Sequence, residues 1–435
     1  MIRKRALTAL TAVVMAAALA GCGSAQGGES SENTSSPAAD TASVAAENTS
    51  AETSADTEET PSEAPAPEPL TPAEPSADAA VMRGLTANEY AKEMGVGINL
   101  GNTFEAFWED KANETTGAQT IGANTPQDYE KCWGAVVTTD ECIDGMAAAG
   151  FSTVRVPVYW GNMMSDDGEY RINGEYIARV REVVDRIIED KMYAVINIHH
   201  YDEFLIKNKP KDEVLKITGS LWQQIADYFA GYGDYLVFEG FNENVGSHMN
   251  KEKMSPADTF EYANALNQTF VDTVRASGGN NGERLLIASG YNTNIDKTTD
   301  SHFVMPTDTA ADKLMISVHY IDNGNYWANT VGGDAWREYS TAQCELLKKA
   351  FTEKGIPVFV GECTSIYEDE HFAEDADVTD SSECLRYILG MAVDDGFVPV
   401  LWDVNDNFYS RTDCKIKSDS DAEVIKNIAD KIKNS

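Results

Sequence analysis

Two glutamates, Glu243 and Glu362, each end an apolar, strand-like run of the chain. Glu243 stands between two asparagines in LVFEGFNENVG (236–246), and Glu362 ends PVFVGE (357–362). Ionisable groups at a strand mouth cost stability unless they are paired, so a single such acid is more often a structural ion-pair partner. Two carboxylates about 5–5.5 Å apart suit retaining cleavage of a glycosidic bond, in which one donates a proton and the other attacks the anomeric carbon. A gap of about 6.5–9.5 Å would instead suit inversion.

Eight apolar, β-branched segments predict the strands that would bring these glutamates together. They span residues 95–102, 153–160, 193–200, 236–243, 284–292, 313–320, 357–363 and 397–403. Segments with helical spacing lie at 139–149, 174–190, 220–232, 255–277, 335–354, 381–395 and 422–432, and the segment after the fifth strand is weak as a helix. Near-continuous apolar strands indicate a sheet buried on both faces. The alternation predicts an α/β fold of the (β/α)8 TIM barrel type. A doubly wound sheet is the alternative. Such a sheet would require a GxGxxG pattern after the first strand, and GINLGNT lacks it.

Polar residues collect at the carboxyl ends of these predicted strands. They are Asn99, Asn102, Arg155, His199, His200, Asn242, Glu243, Tyr291, Asn292, His319, Tyr320, Glu362, Trp402 and Asp403. In a TIM barrel these ends form the catalytic face, so residues spread over 300 positions would converge on one cleft.

Metal chemistry is the main alternative for the two adjacent histidines, His199 and His200. Metallohydrolase barrels use an HxH pair and further His or Asp ligands at other strand ends, and that spacing is absent. We therefore predict a site without a metal and an enzyme without a cofactor.

The charge of residues 81–435 limits the partners of this domain. It contains 31 basic and 59 acidic residues, once the 3 basic residues of 1–22 and the 12 acidic residues of 23–80 are set aside. Nucleic acid and anionic membrane surfaces are poor partners for such a domain, whereas a neutral sugar polymer is not repelled. We expect a monomer whose only membrane contact is through its amino terminus.

The amino terminus has two segments without the character of a folded domain. Residues 1–22 carry three basic residues, an uncharged stretch and the ending LAGC, which is typical of a secretory signal. The ending resembles a bacterial lipobox, in which Cys22 would be lipidated; an ordinary cleaved signal is the alternative. Residues 23–80 lack Lys, Arg and aromatic residues, which predicts a disordered acidic tether. The expected location is the extracellular face of a bacterial membrane, or the medium.

The motifs together resemble the glycoside hydrolase family 5 cellulases across essentially all of residues 81–435. They are GINLGNTFEA, RVPVYW, INIHHYDEF, FEGFNEN, ISVHY, FVGE and VLWD. The resemblance implies that Glu243 is the acid/base, Glu362 the nucleophile and Arg155 the group that orients and ionises Glu362. A guanidinium lowers the pKa of a neighbouring carboxyl, and a second carboxylate raises that of the proton donor.

The remaining roles implied by the resemblance concern sugar binding. Asn242 would donate to the sugar 2-hydroxyl, and His199 and His200 would line the subsite beside the cleaved bond. His319 would stand near the acid/base, and Trp402 would form the aromatic floor under a sugar ring.

The chain departs from the family at the tyrosine that would bond the nucleophile. The family commonly has HxY at the end of the sixth strand, whereas this chain reads His319-Tyr320-Ile321. There are therefore three alternatives for the phenol: it is missing, it is supplied by Tyr320 through a shifted strand end, or it is supplied by Tyr326 from the next loop.

Our leading hypothesis is a secreted, retaining endo-β-1,4-glycanase that cleaves a β-glucan of the cellulose or xyloglucan type. Mannanase or lichenase specificity is an alternative within the family. A noncatalytic surface glycan-binding lipoprotein is the alternative from another class, and a tethered metallohydrolase is a third.

Overall fold

A computed structural model of the protein describes residues 70–245, 254–322, 330–378 and 380–434. The predicted signal, Cys22, most of the tether and Tyr326 lie outside these residues. Residues 70–80, which composition assigns to the tether, pack on the folded domain: the Ala73 amide donates to the Tyr228 carbonyl at 2.8 Å, and Ala79 is buried. The compact unit therefore begins at Leu70, ahead of the predicted boundary at residue 81.

Eight parallel strands close into one barrel, which confirms the predicted (β/α)8 fold. In chain order they are β1 (Gly97–Asn99), β2 (Thr153–Val156), β3 (Tyr193–Asn197), β4 (Leu236–Glu239), β5 (Leu286–Ser289), β6 (Leu314–His319), β7 (Val358–Thr364) and β8 (Val398–Trp402). Each strand pairs with its neighbour in sequence, and β1 closes the ring against β8. Burial on both faces explains the continuous apolar runs. A small antiparallel pair, β9 (Tyr409–Ser410) and β10 (Lys415–Ile416), follows the barrel.

The helices of the described residues surround the barrel. They are α1 (Ala87–Met94), α2 (Pro126–Glu130), α3 (Asp140–Ala149), α4 (Gly174–Glu189), α5 (Tyr201–Asn208), α6 (Lys211–Tyr228), α7 (Pro256–Ala276), α8 (Ile295–Thr298), α9 (Asp334–Ala350), α10 (Ser381–Asp394) and α11 (Asp419–Lys433). The segment after β5 forms only a 3-10 turn at Tyr291–Thr293 and the short α8, as its weak helical pattern predicts. The helix predicted at 220–232 begins earlier, at Lys211, directly after Pro210, whose φ of −63° and extended ψ of 150° place it at the N-cap. None of the helices in the described parts of the chain has the length and apolar character needed to cross a bilayer.

The strand ends differ from the predicted ones at both glutamates. β4 ends at Glu239, so Glu243 lies four residues beyond the strand rather than at its end, and β7 continues to Thr364, so Glu362 lies within its strand. Beyond β4 the backbone amide of Asn242 still donates to the Ile198 carbonyl at 3.0 Å, and its side chain accepts a hydrogen bond across the barrel from Arg155. An apolar run therefore overestimates strand length where polar residues turn into the barrel mouth.

Helix α1 closes the end of the barrel opposite the predicted cleft. Tyr90 and Met94 are buried against side chains from inside the barrel, including Val195, Ile287 and Phe359. A capping box between Thr86 and Glu89 starts this helix. With the amino-terminal end sealed, the carboxyl ends of the strands form the open mouth.

Candidate active site

Arg155 on β2 is the centre of the site. Its side chain is fully buried and uses all three guanidinium nitrogens: Nε donates to Glu239 Oε2 at 2.7 Å, and Nη2 donates to Asn242 Oδ1 at 2.9 Å. Nη1 donates to both Asn99 Oδ1 at 2.9 Å and Glu362 Oε1 at 3.1 Å. A planar guanidinium held at four points has little freedom to rotate, so Arg155 fixes the position of Glu362.

The two predicted catalytic carboxylates face each other across the mouth. Glu243, Glu362 and His319 each contribute one polar atom, and these three atoms all lie within 4.8 Å of one another. His319 Nδ1 lies 3.1 Å from Glu243 Oε1 and 3.5 Å from Glu362 Oε2. The side chain of Glu243 is 33% exposed and that of Glu362 only 7%. The separation fits the short gap of retaining enzymes, with one carboxylate open to the cleft and the other enclosed.

Burial dominates the electrostatics of Glu362. Desolvation raises the pKa of this carboxyl above its usual value, against the opposing effects of His319 and Arg155; Glu243 raises it further, and the Tyr320 bond lowers it. Arg155 lowers the pKa of Glu362, as expected, but the cost of a charge in this enclosed position is larger, so the pKa of this carboxyl stays above its usual value. Burial also lowers the pKa of His319 to about 4, so this imidazole is neutral at pH 7.

Tyr320 reaches Glu362 although the HxY spacing is absent. Its hydroxyl donates to Glu362 Oε2 at 2.9 Å, and its backbone amide donates to the Glu362 carbonyl at 2.8 Å. The register between β6 and β7 shifts after Val318, so His319 pairs with Glu362 and Gly361 has no partner on β6. Tyr320 itself has a φ of +51°, a left-handed conformation that turns its side chain back toward the barrel. Of the three alternatives, the structure supports the shifted strand end.

We expect Tyr320→Phe to lower kcat roughly 10- to 150-fold with little change in thermal stability. A hydrogen bond to a charged acceptor contributes about 1.5–3 kcal/mol, and Phe keeps the ring contacts. Steady-state kinetics on a soluble glucan, beside the melting temperature, measures both. A Phe variant with the parent's kcat would show that this phenol has no part in the reaction.

His199, His200 and Trp402 form one wall of the mouth. The rings of His199 and Trp402 are nearly parallel, 11° apart with centroids 6.0 Å apart. Burial holds the pKa of His199 well below its usual range. His200 lies 3.3 Å from Glu203 Oε1; burial alone would lower its pKa, but Glu203, Glu105 and Asp202 raise it to about 9. The wall thus combines an aromatic surface, a neutral imidazole and an imidazolium, all able to contact a polyhydroxylated ring.

A cavity of about 160 Å³ opens beside this wall. It is lined by Tyr320, Thr364, Ser365, Ile366, Glu368, His371, Trp402, Val404 and Asn407. Its contact with both Tyr320 and Trp402 makes it continuous with the site.

Asn99 lies below the mouth rather than in its lining. It is fully buried, and its amide nitrogen donates to the Gly361 and Leu401 carbonyls at 2.9 and 3.0 Å while its oxygen accepts from Arg155. Asn99 therefore supports the site by joining β1, β2, β7 and β8.

Two groups in the described residues have the spacing of metal ligands. One is Glu243, His319 and Glu362, and the other is Glu368, Glu370 and His371 at the edge of the cavity. Neither group contains His199 or His200. A metallohydrolase that uses this histidine pair would need them as metal ligands. The arrangement gives that reading no support.

Glu239, Asn197 and Ser317 belong to the site although sequence analysis did not single them out. Asn197 Nδ2 and Ser317 Oγ donate to the Glu239 carboxylate at 3.0 and 2.7 Å. Each of these residues lies in an apolar run and resembles an ordinary strand residue. The only sequence signal is a charged residue, Glu239, in the middle of LVFEGF.

Comparison with known proteins identifies the family. The model of the cellulase family, glycosyl hydrolase family 5, matches residues 110–408. Endoglucanase A of Paenibacillus barcinonensis is 34% identical over 360 residues, covering 75% of this chain and 84% of that protein. A broad-specificity endoglucanase from Ruminococcus champanellensis with bound cellotriose is 30% identical with a TM-score of 0.67, covering 79% of this chain and 99% of that one. A Bacteroides ovatus xyloglucanase in complex with a XXXG heptasaccharide is 26% identical with a TM-score of 0.67, covering 83% and 81%. With the barrel and the paired carboxylates, these matches show that the chain belongs to glycosyl hydrolase family 5 and is a glycoside hydrolase.

Proposed function

We propose that the protein is a retaining endo-β-1,4-glucanase that cleaves internal linkages of a β-glucan, with Glu243 as acid/base and Glu362 as nucleophile. The observation that carries the proposal is the close approach of Glu243 and Glu362, with Arg155 and Tyr320 both bonded to Glu362. Spacing of this kind leaves too little room for a water between carboxylate and sugar, as inversion would need.

The proposed reaction has two steps. In the first, Glu243 donates its proton to the glycosidic oxygen while Glu362 attacks the anomeric carbon, so the C–O bond to the leaving sugar breaks and a glycosyl ester forms. In the second, Glu243 takes a proton from water, which attacks the same carbon and releases Glu362 as a carboxylate. Exposure suits these assignments, because Glu243 must exchange protons with solvent and Glu362 needs a fixed orientation. Asn242, held through its oxygen by Arg155, keeps its amide nitrogen for a sugar hydroxyl.

The mouth supports a β-linked glucose polymer as the substrate. Trp402 offers an aromatic surface to a pyranose ring, and the related structures contain cellotriose and a xyloglucan heptasaccharide. The domain's acidic charge does not repel a neutral polysaccharide. The tether and anchor fit a noncatalytic glycan-binding lipoprotein equally well, but the altered tyrosine position, which lends that alternative a little weight, no longer does so because Tyr320 contacts Glu362.

A substrate panel tests the proposal. The purified protein is incubated with carboxymethylcellulose, xyloglucan, mixed-linkage glucan and mannan, and reducing ends and viscosity are followed together. We expect release from at least one of the β-glucans with an early fall in viscosity, which marks internal cleavage, and a β-anomer as the first product by NMR. No release from any of them, or an α-anomer first, would refute the glucanase or the retaining mechanism, respectively.

We further propose that the enzyme is held at the outer face of a bacterial membrane by acyl chains on Cys22. The basis is the LAGC ending of residues 1–22 and the acidic, aromatic-free stretch that follows. Two or more acyl chains anchor firmly, since each buried methylene contributes about 0.8 kcal/mol.

We expect Cys22→Ala to move the enzyme from the membrane fraction to the soluble fraction or the medium. The measurement is glucanase activity in each fraction, together with incorporation of a labelled fatty acid. Cys132→Ala is the matched control, because Cys132 lies in the barrel domain and should leave labelling unchanged. Labelling that survives in the Cys22→Ala variant would rule out this anchor.

A further inference from the structure

Glu239 forms the innermost contact of the active site. It is the last residue of β4 and is fully buried, with its Oε2 2.7 Å from Arg155 Nε. Its two oxygens accept from three donors on three other strands, namely Arg155 of β2, Asn197 of β3 and Ser317 of β6. This network lies directly below the two carboxylates that face the substrate.

A buried ion pair of this kind is weak evidence for a stabilising role. Removing two charges from water carries a large desolvation penalty, and apolar replacements of such pairs are often neutral or stabilising. A role in positioning Arg155 explains the presence of Glu239 better, because Arg155 contacts Glu239 and Glu362 with different nitrogens of one rigid plane. The Glu239 contact at Nε therefore determines where Nη1 meets Glu362.

We propose that Glu239 is a positioning residue that orients Arg155 and limits how much of the guanidinium charge is available to Glu362. One buried cation is shared by two buried anions, so Glu362 is only partly neutralised and keeps its capacity to attack. The inference rests on the proposed glucanase function. Glu239 acts through Arg155 and has no contact with the open mouth.

The groups that face Glu362 determine the direction in which its pKa should shift when Glu239 is replaced. Arg155 approaches from β2, His319 and Tyr320 from β6, and Glu243 from the loop after β4. His319 and Arg155 both favour the ionised form of Glu362, and Arg155 is the cation that contacts Glu239 as well as Glu362. Removing the negative charge of Glu239 leaves Arg155 paired with Glu362 alone. The ionised form of Glu362 is then favoured, and its pKa falls.

Glu239→Gln tests the proposal with almost no change in shape. The Gln oxygen can accept from Arg155 and Asn197, and its amide nitrogen can donate to the Ser317 hydroxyl, so no buried group loses its partner. We expect the acid limb of the kcat/KM–pH profile to move about one pH unit toward lower pH, with a lower kcat at the optimum. A purely structural role would change the melting temperature and leave this limb in place.

Two control variants separate charge from packing. Asp308→Asn removes a buried carboxylate that binds Arg275 at 2.7 Å on the outer helical layer, and should lower stability without moving the limb. Glu130→Gln removes a second buried carboxylate, which binds Arg179 at 2.9 Å outside the site, so the limb should also stay in place. If Glu239→Gln does not fold, Glu239→Asp serves instead, because its shorter carboxylate withdraws from Arg155 and predicts a smaller shift of the same sign.

The outcomes separate this inference from the proposed function. A folded Glu239→Gln or Glu239→Asp variant whose acid limb coincides with the parent's would overturn the role of Glu239 while the glucanase assignment stands. A parent protein without activity on any β-glucan would instead defeat the proposed function before the profile could be compared.

Discussion

Glu362→Gln lowers kcat on a soluble β-glucan by about 10⁴-fold or more while the fold remains intact; this is the largest effect that we expect. In the proposed mechanism this change removes the nucleophile, and the loss of such a group has effects of this order. The Gln oxygen can still accept from Arg155 Nη1, and its amide nitrogen can donate to the Tyr320 hydroxyl, so the buried network stays satisfied. Kinetics, circular dichroism and the melting temperature are the measurements.

Glu130→Gln is the matched control for this variant. Glu130 is fully buried and, like Glu362, binds an arginine: its Oε1 lies 2.9 Å from Arg179 Nε, but Arg179 lies on helix α4. We expect a lower melting temperature and an unchanged kcat. A Glu362→Gln variant that retained more than a tenth of the parent's kcat would remove Glu362 from the nucleophile's role.

Replacing Glu243 should give the second largest loss, and one that depends on the leaving group. General acid catalysis contributes roughly 10²- to 10⁴-fold, so Glu243→Ala should lose about this much activity on the polymer. An aryl cellobioside with an acidic phenol departs without protonation, so its first step should persist in Glu243→Ala. The second step still needs the base, and a rapid burst of phenol should precede slow turnover.

Azide distinguishes the two glutamates. In Glu243→Ala, azide needs no general base and attacks the glycosyl ester from the β face, which restores turnover and gives a β-glycosyl azide. In Glu362→Ala, azide replaces the missing carboxylate and gives an α-glycosyl azide from an activated substrate. NMR of the products reads the configuration. If Glu243→Ala gave the α-glycosyl azide and Glu362→Ala the β-glycosyl azide, the two glutamates would have the opposite roles. If Glu243→Ala lost as much activity on the aryl cellobioside as on the polymer, Glu243 would not be the proton donor.

The fold could be predicted because its determinants are local and repeated. Burial on both faces makes each barrel strand a continuous apolar run, and helical spacing separates most of these runs. Strand ends were predicted less accurately, as at β4, because apolar character continues through Phe241 although the strand ends at Glu239. Helix α5 was missed: it is short, and it starts directly after His200, whose φ of +58° no sequence pattern announces.

The site was predictable in its members and less so in its contacts. Glu243, Glu362, Arg155, Asn242 and the histidines stand in recognisable motifs, and the barrel brings them to one mouth. Glu239 was overlooked because a charge within an apolar run has meaning only when its partners, on β2, β3 and β6, are known. The net rise of the Glu362 pKa could not be predicted for a similar reason, since the extent of burial is a property of the whole mouth.

The sequence by itself determined the barrel, the two acids and the order in which the strands present them, because those follow from hydrophobic patterning and residue type along the chain. Only the tertiary structure decided which tyrosine meets Glu362 and how Arg155 divides its bonds. A one-residue register shift between β6 and β7 and a left-handed backbone at Tyr320 set the first, and the geometry of a single guanidinium between two buried carboxylates sets the second. Both depend on distances across the barrel, which strand order alone does not specify.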